Sequence, residues 1–145
     1  MLVLALDSSA TASVALARID SDAPGASAEI LASYESEDTR SHAEVMAPYA
    51  AQVLADTGLD GAAVDAVLTG TGPGPFTGLR AGIMTARTLG FAWNKPVYGL
   101  MSLTAIVERA FADGAFRDSR TAANSGMNRA AVETLVASDA RRREI

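Results

Sequence analysis

The chain has 145 residues, room for one domain or the first lobe of a larger protein, and 49% of them are apolar, enough for a sizeable core. It has no cysteine and one histidine, His42, which excludes thiol chemistry and leaves a Cys/His zinc site without ligands inside one chain. The formal charge of −5 speaks against a free-standing nucleic-acid binder, and no apolar run approaches the roughly 20 residues of a membrane span.

Leu2 to Asp7 reads as a buried strand and not as a leader peptide, because it lacks a basic flank and an acid closes it early; a cytoplasmic protein is expected. Ser8-Ser9-Ala10-Thr11 is a polar turn, and Ala12 to Ile19 is a second apolar run suited to a hairpin. Asp20 to Gly25 is a loop, and Ile30 to Ser36 a third, weaker strand. Ser41-His42-Ala43-Glu44 has the spacing of a capping box, in which the hydroxyl accepts from the N–H three residues on and the Glu reaches back. The helix it opens runs to about Asp56, with Val45, Met46, Tyr49, Ala50, Val53 and Leu54 on its apolar stripe. Gly58 stops it, and Pro48 inside it is expected to kink or break it.

Val64 to Thr69 is a fourth strand, followed by the loop Gly70-Thr71-Gly72-Pro73-Gly74-Pro75-Phe76 and a helix that starts at Thr77 and ends near Asn94. Pro96 to Leu100 is a fifth strand, and Ser102 is placed to N-cap a third helix reaching about Ala112. The order β-β-β-α-β-α-β-α predicts an α/β fold, a hairpin-led mixed five-stranded sheet with helices on both faces. Residues 1–112 form this unit. Residues 113–131 are polar without a clear period and read as an irregular connector, and residues 132–145 read as the start of an incomplete second lobe. Arg141-Arg142-Arg143 reads as a solvated charge run.

The Gly/Pro loop is neither a Walker A sequence, since no Gly-Lys-Ser/Thr follows, nor a dinucleotide fingerprint, since Pro75 stands where the third glycine belongs. It is either a rigid turn that sets the direction of the next helix or a backbone cradle for phosphate, with its prolines removing donors from such a cradle. In that helix Gly78, Gly82, Ala86 and Gly90 recur every four residues and share one face. Interior glycines there cost about 2–3 kcal/mol together relative to alanine, a cost that close approach of another backbone offsets. That backbone belongs either to the chain's own sheet or to a second chain. Asp7 either caps the turn after the first strand or holds magnesium or a water. His42 reads as a surface or packing residue whose charged form the helix N-terminus disfavours, and one histidine builds no Ser–His–Asp arrangement.

Four segments occur in order: Asp7-Ser8-Ser9, Ser41-His42-Ala43-Glu44, Gly72-Pro73-Gly74-Pro75-Phe76-Thr77-Gly78-Leu79-Arg80 followed by Gly82, and Ala92-Trp93-Asn94-Lys95-Pro96-Val97. Together they resemble the TsaB family, also called YeaZ, bacterial partners in the synthesis of threonylcarbamoyladenosine on tRNA. The resemblance covers residues 1 to about 112, and the Gly-Pro-Gly-Pro-Phe-Thr-Gly-Leu-Arg string is its specific core. It implies the actin-like ATPase (ribonuclease H-like) fold, normally in two lobes, of which residues 1–112 are the first.

The resemblance also implies a protein that does not catalyse the transfer and needs no cofactor or metal. Such a protein supports a TsaD-like paralogue, and through it a TsaE-like ATPase, with the helices of its first lobe. It forms homodimers by the same face when alone and meets tRNA only indirectly. The paralogue's two metal-binding histidines align with Ser102 and Ile106, neither of which replaces an imidazole, so a metallopeptidase or the catalytic subunit is not expected. The partner face is expected at Met46, Gly78, Leu79, Gly82, Ile83, Ala86 and Gly90. His42 and Glu44 are expected to fix the start of the first helix, and Gly72, Pro73, Gly74 and Phe76 that of the second, with Asp7, Ser8, Thr77 and Arg80 in the same motifs. Gly82→Leu is then expected to block pairing and leave the monomer folded. The alternative is an actin-fold ATPase or small-molecule kinase, with Asp7 near magnesium and the Gly/Pro loop near phosphate.

Overall fold

A computed structural model describes residues 1–20, 27–36 and 42–112. Ser41, the side chain of His42, the expected connector 113–131 and the expected start of a second lobe at 132–145 lie outside the described residues.

Alternation of large apolar and small or polar residues gives β1 (Leu2–Asp7) and β2 (Ser13–Asp20) one buried side each. They pair antiparallel, with Leu4 opposite Leu16 and Leu6 opposite Val14, all four buried. β3 (Ser27–Glu35) continues the meander at one edge, with a register shift between Leu16 and Ala17. On the other side of β1, β4 (Ala66–Gly70) and β5 (Val97–Leu100) add in parallel, giving the order β3-β2-β1-β4-β5. Parallel neighbours require crossovers, and α1 (His42–Thr57) and α2 (Phe76–Trp93) supply them. α1 lies on β2 and β3, α2 on β1 and β4, and the two helices touch each other, so both cover one face. Between them and the sheet sit Leu4, Leu6, Val14, Leu16, Met46, Ala50, Val53, Val67 and Ala86. α3 (Ser102–Ala112) begins over the opposite face, where Ser102 and Ala105 border Ala5, Asp7 and Leu68. The expected α/β class, the mixed sheet and its two-sided helices are all present.

Three local expectations change. α1 runs on through Pro48 without a break; Glu44 and Pro48 are both exposed, so the carbonyl that lacks a donor is open to water. Gly70 ends β4 and does not open the loop. Ser102 is the first residue of α3, and its hydroxyl leaves the helix to donate to Asp7. The end of α2 follows expectation: Asn94 is left-handed at φ 54°, and the N–H groups of Asn94 and Lys95 donate to the carbonyls of Phe91 and Gly90, closing a Schellman motif.

The small-residue stripe faces inward. Gly78, Gly82, Ala86 and Gly90 are all buried within the chain. A Cβ on Gly82 would collide with Ser8 Oγ and sit 3.6 Å from Met46 Cε, and one on Gly90 would collide with Val97. Met46 is fully buried in the core. These residues were expected at a contact with a second chain; that expectation is corrected, because the chain's own β1, β5 and α1 already fill the space. Leu79 and Ile83 remain half-buried at the margin.

Tyr34 on the edge strand stacks on Tyr49 of α1 at 5.5 Å and donates its hydroxyl to Asp56 at 2.6 Å. Gln52 donates to the other oxygen of Asp56 at 2.8 Å. The Tyr34 hydrogen bond, then that from Gln52, hold the Asp56 carboxyl below the usual range, and the same bond to Asp56 pushes the Tyr34 hydroxyl up. The tie is therefore present above the ordinary aspartate range, lost as pH falls through the lowered value of Asp56, and lost again as pH rises through the raised value of Tyr34.

Two outcomes follow from this packing. Gly82→Ala should destabilise the fold by about 1–3 kcal/mol in chemical denaturation, because the added methyl overpacks Ser8; an unchanged midpoint would contradict the packing. Tyr34→Phe should return Asp56 toward the ordinary aspartate range in a carbon-detected NMR titration, and an unmoved Asp56 would show that the hydroxyl does not hold it.

Candidate functional site

β1 and β4 are parallel neighbours, so both end at the same edge of the sheet, where the loops of an open α/β sheet gather. The turn after β1 and the Gly/Pro loop after β4 meet there. Ser8 is buried, and its Oγ donates to the Gly78 carbonyl at 2.7 Å and accepts from the Gly82 N–H at 3.1 Å. An α-helix joins a carbonyl to the N–H four residues on, so Ser8 adds a further partner to both members of one such pair. Only a glycine face allows a side chain from another strand to come so close.

Asp7, next to it, points to the other face of the sheet. Its Oδ1 accepts from the Ser9 N–H at 2.6 Å and its Oδ2 from the Ser102 hydroxyl at 2.5 Å. A Cβ on Gly70 would run into this carboxylate and approach Ser102, so the strand-ending glycine makes the tie possible. Ser102 N–H in turn donates to the Gly72 carbonyl at 2.8 Å. Of the two roles open to Asp7, the structure shows the turn cap, with a second duty in seating α3. Among the described residues, no group of three or more His, Asp or Glu is placed to hold a metal ion.

The Gly/Pro loop behaves as a turn. Gly72 has φ +98°, and Gly74 lies against the Ser9 backbone so closely that a Cβ would clash with it. The space a side chain would take at Gly74 is filled by the Ser9 backbone. Pro75 precedes α2 without a side-chain cap, and its carbonyl accepts the Leu79 N–H at 3.0 Å. Phe76 opens α2 with its ring 74% exposed, and the Arg80 guanidinium sits 5.4 Å from the ring centre. Pro73, Thr77, Arg80 and Glu44 are exposed, and Gly72 is buried.

The outward faces of α1 and α2 hold Met84, Arg87, Phe91 and a run of alanines that sequence reasoning missed, together with Glu44, Phe76 and Arg80, which it assigned to helix starts and motifs. Along α2, Phe76, Arg80, Met84, Arg87 and Phe91 are exposed, Met84 at 54% and Phe91 at 90%. Along α1, Ala43, Ala47, Ala51 and Ala55 are exposed at every fourth residue, with Glu44 beside them. The two helices touch each other, and each leaves a stripe exposed: alanines on α1, large apolar and basic side chains on α2. The signal was present as a second period of four in α1, opposite the stripe that fills the core.

Comparison with known proteins adds a family. The model for TsaD, tRNA N6-adenosine threonylcarbamoyltransferase, matches residues 29–131. The chain is 44% identical over 108 residues to an uncharacterized protein of Mycobacterium tuberculosis, covering 74% of this chain and 42% of the relative. It is 40% identical over 72 residues to the tRNA threonylcarbamoyladenosine biosynthesis protein TsaB of Haemophilus influenzae, covering 50% and 30%. Among solved structures it is similar to YeaZ from Pseudomonas aeruginosa, with a TM-score of 0.65 and 34% identity over 79% of this chain and 50% of that one. The chain spans less than half the length of the curated relatives it matches.

Ser8→Ala should cost about 1–3 kcal/mol of stability, since it removes two buried hydrogen bonds between the turn and α2. Denaturant unfolding followed by circular dichroism reads this directly, and a wild-type midpoint would show that the bridge contributes nothing.

Proposed function

We propose that this chain, which belongs to the TsaD family of tRNA N6-adenosine threonylcarbamoyltransferases and is TsaB/YeaZ-like within it, is a docking partner and not the catalyst in forming threonylcarbamoyladenosine on tRNA. The observation that carries this reading is the outer face of α1 and α2. Phe76, Met84 and Phe91 stand exposed in one row beside four exposed alanines. Large apolar side chains clustered beside a flat strip suit a helical partner, whose own side chains lie over the alanines.

The partner is a TsaD-like subunit, through which a TsaE-like ATPase is reached, or a second copy when the chain is alone. For a second copy, charge favours a two-fold arrangement: Arg80 and Arg87 on α2 and Glu44 on α1, so that α2 of one molecule meets α1 of the other. The reading places the interface on outward residues of the same two helices, not on the buried glycines. Contact with tRNA is through the partner. The reading sets the chain in the cytoplasm, and no described helix is long and apolar enough to cross a membrane.

Two features support a non-catalytic role. By the family resemblance Ser102 and Ile106 align with the paralogue's metal-binding histidines, and Ser102 is engaged with Asp7. The hollow at the strand ends is lined by Asp7 and Glu35 and by no Lys, Arg or His among the described residues, an unfavourable field for phosphates. This weighs against the ATPase or kinase alternative.

Phe91→Asp should weaken binding to the TsaD-like subunit at least tenfold in sedimentation velocity and keep the wild-type unfolding midpoint, since the residue touches nothing in its own core. Undiminished binding would contradict the assigned face. Turnover of ATP by the purified chain would contradict the non-catalytic role.

A further inference from the structure

We propose that the exposed row of α2 is a seam for an acidic amphipathic helix of a different chain, one that carries two carboxylates seven residues apart. This rests on the docking face read above for α1 and α2, and it names the chemistry of the occupant. Phe76, Arg80, Met84, Arg87 and Phe91 follow one another at steps of four, four, three and four, and all five are exposed. Such steps keep them on one side of the helix over about 22 Å. A seam with that spacing fits a second helix crossing at about 20°, so that the two run side by side along the whole row.

The charge of the row has one sign. α2 contains Arg80 and Arg87 and no acid, in a chain whose formal charge is −5. Neither arginine forms an ion pair among the described residues. The Arg80 guanidinium lies over the Phe76 ring at 5.4 Å, a contact that leaves its donor fork open to a carboxylate.

Spacing decides which helix fits. Arg80 and Arg87 stand two turns apart, about 10 Å along the axis. Carboxylates seven residues apart on a partner helix have the same repeat, whether that helix runs parallel or antiparallel to α2. Met84, between the arginines, takes an apolar side chain of the partner, and its flexible thioether adapts to the shape. Phe76 and Phe91 close the two ends.

A second copy fits less well. α2 against α2 sets arginine against arginine. α1 carries two acids, Glu44 and Asp56, and Asp56 already accepts from Tyr34 and Gln52. Glu44 alone is left for an arginine, so α1 of a second copy leaves the other arginine without a carboxylate. Unmatched charge in the homodimer thus discriminates as much as matched charge with the partner does.

The test follows the full chain in sedimentation velocity, alone and with the TsaD-like subunit, at low and at raised salt. Wild-type affinity for the subunit should fall as salt is raised. Arg80→Glu combined with Arg87→Glu should weaken that binding at least tenfold at low salt and keep the wild-type unfolding midpoint. The chain has one lysine, Lys95, so Arg80→Lys combined with Arg87→Lys adds two amines at known places. Carbodiimide coupling of this second variant to the subunit, read by mass spectrometry, should join those amines to two carboxylates seven residues apart on one helix. Undiminished binding by the charge-reversed variant, absence of links, links to carboxylates without that spacing, or links only to a second copy would each overturn the proposal. Loss of binding in Phe91→Asp beside full binding in the charge-reversed variant retires the acidic helix alone. Full binding in Phe91→Asp, or none in the wild type, retires the docking face with it.

Discussion

The close approach of α2 to the end of β1, made through the Ser8 hydroxyl, is the constraint on which the rest of the molecule depends. Ser8 reaches a carbonyl and an N–H of a neighbouring helix, and a side chain does that only where the helix has no Cβ in the way. This explains the glycine at 82 without a second molecule. It also fixes the rotation of α2 about its axis. With the glycine face turned to the sheet, Phe76, Met84 and Phe91 have no place to go except outward. The glycines thus set the docking surface indirectly, by deciding which side of the helix is left to solvent.

The same edge of the sheet assigns work to both sides. Asp7 closes β1 and Ser8 opens the turn after it, and their side chains bond to elements on opposite faces of the sheet. Ser8 locks α2 on one face; Asp7 receives Ser102 and seats the start of α3 on the other. Gly70 leaves the volume that this second tie occupies. One polar turn therefore positions elements on both faces of the sheet, and the apolar docking row and the acidic hollow end up on opposite sides of a thin layer. Chemistry differs accordingly: the helical face offers apolar area with mixed charge, the strand-end face offers carboxylates over alanine methyls.

All eight elements and their order were legible in the sequence, because each carries a period or a stop signal of its own: alternation in β1 and β2, the apolar stripe of α1, Asn94 after α2. What was not legible is what lies against a face. A four-residue spacing of Gly78, Gly82, Ala86 and Gly90 says that they share a side, and both a sheet and a partner helix satisfy it; only Ser8, some 70 residues away in sequence, decides between them. Met46 was drawn to the expected interface by the same ambiguity and belongs to the core. Gly70 was assigned to the loop because glycine reads as a breaker, although its reason lies in the distant pair Asp7 and Ser102. Pro48 looked disruptive because propensity does not reveal that the freed carbonyl is solvated. The misreadings of the glycines and of Met46 fall where contacts are long in sequence, whereas that of Pro48 is local.

Hydrogen–deuterium exchange of the chain with and without a TsaD-like subunit tests the central claim most directly, since it reports where the partner sits without altering a residue. Added protection should concentrate in α1, residues 42–57, and α2, residues 76–93, with the strand-end hollow exchanging as in the free chain. Protection centred on the edge strands or on the turn that holds Asp7, with α1 and α2 unchanged, would contradict it.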